Sequence, residues 1–203
     1  GVVQIDVDGD HVLALKADGT VWSWGANNNG TLGEGSRGDR NSPVRVSGLN
    51  NIQQIDAGLY HNLALDSTGQ IWSWGDNQYG QLGDKGNADP YIKSDQYTPV
   101  VVLDSLGNAL TGMISVAAGD YHSMAVTSTG AVLSWGRNNY GQLGDDTLND
   151  HYNPVEIVGL SGVEMVQAVE DSSFSIKADG SIYGWGENST GQLGTATVVN
   201  YRH

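Results

Sequence analysis

An all-β fold assembled from repeated units is predicted by three observations. The stretch Trp72 to Gly83 recurs as Trp22 to Gly33, Leu133 to Gly144 and Tyr183 to Gly194, so W-G-x-N-x-x-G-x-L-G is written four times. Each copy follows a second shared block, His61 to Gly69, matched by His11 to Gly19, His122 to Gly130 and, with serine replacing histidine, Ser172 to Gly180. Glycine accounts for 29 of 203 residues, about twice ordinary usage, which suits short strands joined by tight turns. Self-similarity of this kind marks a repeat architecture.

The elements of the first copy follow from local pattern. Val2 to Val7 alternates as a strand does. His11 to Lys16 is apolar on both faces over its middle, as expected of a strand buried between two layers. Asp18-Gly19 tolerates the positive φ of a hairpin turn, and Val21 to Trp24 is the returning strand. A fourth strand is predicted at Pro43 to Val46, where proline stands at a strand start and its missing N–H does least harm. Four short antiparallel strands make one propeller blade. The second copy reads the same way over Ile52–Ala57, His61–Asp66, Gln70–Trp74 and Pro99–Leu103, and the third over Met113–Ala118, His122–Thr127, Ala131–Trp135 and Pro154–Val158. The fourth gives Val163–Val169, Ser173–Lys177 and Ser181–Trp185, then no Pro-Val strand, so its blade is expected to be one strand short. The chain thus reads as one domain over 1–203, with repeats at about 1–50, 51–111, 112–161 and 162–203.

Spacing separates rigid from variable parts. From the His (or Ser172) to the Trp before Gly is 13 residues in all four copies, and from that Trp to the Gly closing L-G is 9. Successive copies lie 50, 61 and 50 residues apart. The extra length enters at Asp84 to Thr98 and Asp104 to Gly112, and insertions in repeat proteins map to loops that often face partners.

Composition bounds the function classes. A formal charge of -14 repels phosphate backbones, and Arg37, Arg40 and Arg45 are interleaved with acids rather than forming a basic patch, so no nucleic-acid partner is expected. No cysteine is present for a disulfide framework or a thiolate metal site. The longest apolar run, Val100 to Leu103, is far too short to span a bilayer, so no membrane insertion is expected. No nucleophile elbow, Walker loop or zincin motif occurs, which points away from an enzyme, and no cofactor is implied.

Within the repeat each residue type has a physical use. Trp24, Trp74, Trp135 and Trp185 stand where a large ring fills the gap between blades, and burying one contributes about 4–6 kcal/mol gross from its area. The glycine after each Trp is read as leaving room for the adjacent sheet. Asn27, Asn77, Asn138 and Asn188 are expected to bond their own loops, the two later glycines to take positive φ, and His11, His61 and His122 to bond a neighbouring loop.

The pattern G-x-x-H-x-x-A-L…D-G-x-V-x-x-W-G-x-N-x-x-G-x-L-G, as in Gly58 to Gly83, resembles the repeat of the regulator of chromosome condensation family, whose members form seven-bladed β-propellers. Asp8 and Val169 replace the glycine found at Gly58 and Gly119, and Ser172 replaces the histidine. Four repeats leave such a ring incomplete, with two open edges. The resemblance implies protein binding through loops on one face. It also brings nucleotide exchange on a small GTPase, enzyme inhibition and a structural role in a surface assembly as alternatives. The Asn- and Gly-rich, cysteine-free style resembles bacterial members and gives the expectation of a secreted or cell-surface protein.

The site expectation rests on the two residues before each His position: Gly9-Asp10, Leu59-Tyr60, Asp120-Tyr121 and Glu170-Asp171. Relatives that inhibit β-lactamase or sense ultraviolet-B light resemble this chain and often carry Trp on these loops. Here Asp10, Leu59, Tyr60, Asp120, Tyr121, Glu170 and Asp171 would present tyrosines among acids, joined by Tyr91 and Tyr97 from the insertion. Exposed Tyr beside charge suits a protein-binding surface for a basic partner, and the open blade edges offer self-association as a second mode. Three cheaper motifs carry less weight: Asp6 to Asp10 lacks the glycine of a calcium loop, having His11 there. Arg37-Gly38-Asp39 is a three-residue match, and the sequons at Asn29 and Asn188 fall inside the repeat motif.

Overall fold

The computed structural model describes residues 1–84 and 94–197. Fifteen strands among them form four antiparallel sheets. Blade 1 comprises β1 (Val2–Asp8), β2 (His11–Lys16), β3 (Val21–Gly25) and β4 (Arg40–Arg45), and blade 2 comprises β5 (Ile52–Ala57), β6 (His61–Asp66), β7 (Ile71–Gly75) and β8 (Gln96–Val101). Blade 3 holds β9 (Met113–Ala118), β10 (His122–Thr127), β11 (Val132–Gly136) and β12 (His151–Glu156). Blade 4 holds β13 (Val163–Val169), β14 (Ser172–Lys177) and β15 (Ile182–Gly186), a three-stranded sheet among the described residues. In every blade the strands follow chain order across the sheet, the meander that tight Asp-Gly and Thr-Gly turns favour. No helix long and apolar enough to cross a membrane occurs among the described residues.

The fourth strand of each complete blade starts three residues before the predicted proline. In β4 the pairing runs Trp22 with Arg45, Ser23 with Val44, and then Gly25 with Arg40, with a bulge between. Pro43 falls in that bulge on an edge strand, where no ladder bond is lost. β8 and β12 repeat the shift.

The cores lie between blades rather than within them. Leu13, Leu15 and Val21 on the leading face of blade 1 pack with Ile55, Ala64 and Trp74 on the trailing face of blade 2. The same positions recur between blades 2 and 3 and between blades 3 and 4. Trp74, Trp135 and Trp185 are fully buried in these joints, whereas Trp24, with no blade behind it among the described residues, is half-buried. The expectation that the indoles fill a joint is met at the three internal joints.

Each joint carries the same polar clamp. The indole N–H of Trp74 donates to the Thr31 carbonyl at 2.8 Å, that of Trp135 to Gln81 at 2.8 Å and that of Trp185 to Gln142 at 2.9 Å. A second donor from the trailing blade reaches the same oxygen: Asn62 Nδ2, Ser123 Oγ or Ser173 Oγ, at 2.7–2.8 Å. The histidine of the leading blade completes the set, His11 to Asn62 Oδ1, His61 to Ser123 Oγ and His122 to Ser173 Oγ. The histidines thus bond the next blade's second strand, not a loop as expected. Because each serine hydroxyl gives its one proton to a carbonyl, the histidine must donate from Nε2. Burial holds His61 and His122 neutral, with pKa values lowered to about 3.

The glycine after each Trp is required first by its own blade: Gly75 has φ +108°, and a Cβ there would lie 2.6 Å from the carbonyl oxygen of Tyr60. The predicted room for the adjacent sheet is needed as well at Gly136 and Gly186, where a Cβ would also lie 3.3 Å from the Gln81 side chain and 3.1 Å from the Gln142 backbone of the preceding blade. Nearer the axis, inner strands are stapled by side chains. Gln4 Nε2 donates to the Ile55 carbonyl and its Oε1 accepts from Ile55 N–H, at 2.7 and 3.0 Å, and Gln54 does the same with Val116. Asp6 and Asp56 accept from the N–H groups of Ala57 and Ala118 at 2.9 and 2.7 Å. Burial, with Asp6 nearby, pushes the Asp56 carboxyl up to about 8.

Two outcomes are expected. Trp135→Ala should cost about 3–5 kcal/mol and Trp24→Ala less than half of that in urea unfolding, because only the first removes a closed joint. The second concerns pH. His61 and His122 bind protons in the unfolded chain below about 6.5 but in the fold only near 3, so their contribution is complete above about 6.5. Asp56 keeps its proton to about 8 in the fold and loses it near 3.8 when unfolded, so the folded state binds more protons over that interval and stability falls as pH rises. Above about 6.5 the Asp56 effect acts without opposition from the histidines, and urea midpoints should decline toward pH 8. Asp56→Asn, which keeps an acceptor for Ala118, should level that decline.

Candidate functional site

The loops before β2, β6, β10 and β14 and the loops after β3, β7, β11 and β15 meet at one end of the blades. The joining bond is a backbone one: Ala26, Asp76, Arg137 and Glu187 donate their N–H groups to the carbonyls of Asp10, Tyr60, Tyr121 and Asp171 at 2.8–3.0 Å. Each residue preceding the His position is therefore set beside the residue that follows W-G. Asn27, Asn77, Asn138 and Asn188 hold the second loop in shape, their Oδ1 atoms accepting from the N–H of Leu32, Leu82, Leu143 and Leu193.

On blades 2 and 3 this arrangement assembles an aromatic and cationic cluster. Tyr60 and Tyr121 stack with ring centroids 4.8 Å apart, and Tyr79 meets Tyr121 edge-on at 5.1 Å. The Arg137 guanidinium lies 5.2 Å from the Tyr79 ring, 5.4 Å from Tyr121 and 5.9 Å from Tyr140. All five are half-buried, with part of each side chain in contact with solvent. Arg137 also pairs with Asp171 of blade 4 at 3.6 Å, and Gln142 donates to the other oxygen of that carboxylate at 2.6 Å. At the opposite side Asp76 accepts from Asn29 of blade 1 at 3.1 Å and from Gln81 at 2.6 Å. The cluster thereby touches all four blades.

Acids rim it. Asp10 and Glu170 are exposed, Glu170 in the left-handed region at φ +53°. Burial, reinforced by Asp8, Asp171 and Glu170, pushes the Asp120 carboxyl up to about 6, with Arg137 opposing the shift. Burial and the Tyr60 hydroxyl push the Tyr121 phenol up. Between blades 1 and 2 a recess of about 150 Å³ is lined by Asp10, His11, Asn29, Leu59 and Tyr60.

Of the residues expected at the site, Tyr60, Tyr121, Asp120 and Asp171 come together, with Asp10, Leu59 and Glu170 on the same loops. Tyr97 does not join them. It lies in β8, packs on Gly30 of blade 1, and carries Arg37 over its ring at 4.6 Å. Tyr91 lies outside the described residues. Asp39 of the Arg-Gly-Asp match accepts from the N–H of Asn27 at 2.9 Å, a loop-capping role. Sequence reasoning missed Tyr79, Arg137 and Tyr140. Their signal was the variable x after W-G and the aromatic before the next glycine, positions left free in an otherwise fixed motif.

With fold and face in place, the comparison with known proteins is direct. A family model described as RCC1-like domain matches residues 1–202. The chain belongs to the RCC1-like domain family. It is 32% identical over 166 residues to the ultraviolet-B receptor UVR8 of Arabidopsis thaliana, covering 81% of this chain and 36% of the receptor. It is 33% identical over 167 residues to the human probable E3 ubiquitin-protein ligase HERC3, covering 81% of this chain and 15% of the ligase. Yeast RCC1 (Prp20), in its crystal structure bound to Kap60, superposes with a TM-score of 0.84 at 25% identity over 100% of this chain and 47% of the other. Human WBSCR16 gives the same TM-score at 23% identity, covering 51% of that chain. The RCC1-like chain thus spans about half of these solved propellers and a smaller share of the two sequence relatives, all eukaryotic.

One measurement checks the electrostatics of the face. Arg137→Gln removes the cation that holds the Asp120 carboxyl down, so its pKa should rise above about 6, read by carboxyl carbon NMR titration.

Proposed function

We propose that this RCC1-like chain is a non-enzymatic protein-binding module whose recognition face is the tyrosine and arginine cluster of blades 2 and 3. The observation that carries the reading is the stacked, partly exposed Tyr60–Tyr121 pair joined to Tyr79 and Arg137, since Tyr and Arg dominate binding hot spots. Its acidic rim and a formal charge of -14 select for a basic segment and speed its encounter. Support by likeness comes from yeast RCC1, a propeller of the same family captured with a protein partner, Kap60.

The rings are held by one another and by an arginine anchored on Asp171, so little side-chain freedom remains to be lost on binding. A lysine or arginine of the partner would stack on the exposed phenol faces, while the rim carboxylates of Asp10 and Glu170 accept its hydrogen bonds.

Fluorescence anisotropy with lysine- and arginine-rich peptides, against a charge-neutral control, tests this. Binding is expected for the basic peptides and should weaken as salt rises. The double variant Tyr60→Ala and Tyr121→Ala should lose at least roughly tenfold in affinity while retaining its fold by circular dichroism. Equal binding by the folded double variant would remove this face from consideration.

A further inference from the structure

The recess between blades 1 and 2 lies at an internal joint, and the repeat register shows what empties it. Ala26 stands where blades 2 and 3 have Asp76 and Arg137, Asn29 where they have Tyr79 and Tyr140, and Thr31 where they have Gln81 and Gln142. Each blade 1 residue is the smallest of its set. At the second joint the Tyr79 ring lies edge-on against Tyr121, and at the third the Arg137 guanidinium lies between Tyr121 and Tyr140. Three short side chains in one loop leave about 150 Å³ at the first joint instead. Its lining is already held. The Thr31 hydroxyl donates to the Ala26 carbonyl at 2.8 Å, Asn29 donates to Asp76 at 3.1 Å, and the Thr31 carbonyl takes the Trp74 indole.

The third joint shows what such a position accommodates. There Arg137 lies 5.4 Å from the Tyr121 ring and pairs with Asp171 at 3.6 Å. Tyr121 precedes the histidine of blade 3, and Asp171 holds the same place in blade 4. At the first joint these two places hold Asp10 and Tyr60, so the phenol and the carboxylate are both present with their blades exchanged. The residue that would supply the cation is Ala26. Even the arginines nearest in sequence are engaged elsewhere, Arg37 over the Tyr97 ring and Arg40 with Glu34. His11, which also lines the recess, brings no positive charge: burial lowers its pKa, and its Nε2 is taken by Asn62.

We infer that this recess is a subsite for one arginine side chain of a basic partner segment, the guanidinium taking beside Tyr60 and Asp10 the place that Arg137 takes beside Tyr121 and Asp171. The inference rests on the recognition face proposed above and adds the residue type read at its blade 1 edge. Leu59 offers apolar surface to the arginine stem. The Tyr60 ring, covered by Tyr121 on one side, turns its remaining surface to the recess and stacks the guanidinium plane. The Asp10 carboxylate accepts two N–H groups side by side. Asn29 spends its Nδ2 on Asp76, which leaves its Oδ1 as a further acceptor. A lysine ammonium meets the same carboxylate as a point charge but has neither the plane for the ring nor the fork for the acid, so arginine is preferred.

Isothermal titration calorimetry with oligo-arginine and oligo-lysine peptides of equal length and charge tests the subsite. The parent chain should bind the arginine peptide roughly tenfold tighter than the lysine one. Ala26→Leu fills the recess without changing the charge, at a position where other blades carry Asp76 and Arg137, so circular dichroism should be unchanged. The loss should be larger for the arginine peptide and bring the two peptides level. Asp10→Asn, at an exposed position, should narrow the preference as well. Tyr121 does not line the recess, and Tyr121→Ala should weaken both peptides while keeping their ratio, so face and subsite are read separately. In methyl NMR of the parent, the Ala26 and Leu59 signals should shift with the arginine peptide. Equal binding of the two peptides by the parent, or a folded Ala26→Leu variant that keeps the preference, overturns the subsite and leaves the face standing. Absence of binding by both peptides removes the face and the subsite together.

Discussion

Three carbonyl oxygens, those of Thr31, Gln81 and Gln142, each receive an indole N–H and a second side-chain donor from the following blade, and the rest of the arc is arranged so that they can. The carbonyl must be held still in a loop that has no strand partner. Asn27, Asn77 and Asn138 do this from one side, by accepting from the next leucine's N–H. Ser23, Ser73 and Ser134 do it from the other, by donating to that leucine's carbonyl at 2.7 Å. With both ends of the loop tied to the strand that carries the Trp, its length is fixed. That accounts for the constant nine-residue interval from Trp to Gly, while insertions collect beyond it.

The same ties determine where function can vary. Backbone bonds join the residue after W-G to the residue before the His position, and neither side chain takes part. The sequence is free at those two sites while the geometry is not. In this chain the freedom has gone to Tyr60, Tyr121, Asp76 and Arg137, which use their side chains to connect blades that the backbone leaves separate. Asp76 reaches Asn29 of blade 1 and Arg137 reaches Asp171 of blade 4. The face is therefore both a surface and a set of polar ties between repeats.

What the sequence made legible was whatever a single repeat decides. Strand order, hairpins, the Asn-held loop and the positive φ of the later glycines depend on residues within a copy, and they were readable. Contacts between copies were not. The histidine partner sits 51 to 62 residues away on another blade, and nothing local distinguishes it from a loop. Trp24 has the same neighbours in sequence as Trp74 yet is not buried alike, because burial there is a property of the joint. The start of β4 was misread for a related reason: proline looked like a strand boundary, but a bulge on an edge strand accommodates it. Tyr97 looked like a site residue because it stood in an insertion, while its ring is taken up by Gly30 and Arg37.

Stability in such an array follows nearest neighbours. Among the described residues blades 2 and 3 are clamped on both faces and blades 1 and 4 on one, so within this arc opening should begin at blades 1 and 4 and reach the centre last. Tyr60 and Tyr79 belong to blade 2, and Tyr121, Arg137 and Tyr140 to blade 3. The aromatic cluster is thus mounted on the two blades with most joints, where the loops have least freedom to rearrange. A binding face gains most from rigidity when its contacts are few and planar, because ordering lost on association subtracts directly from affinity.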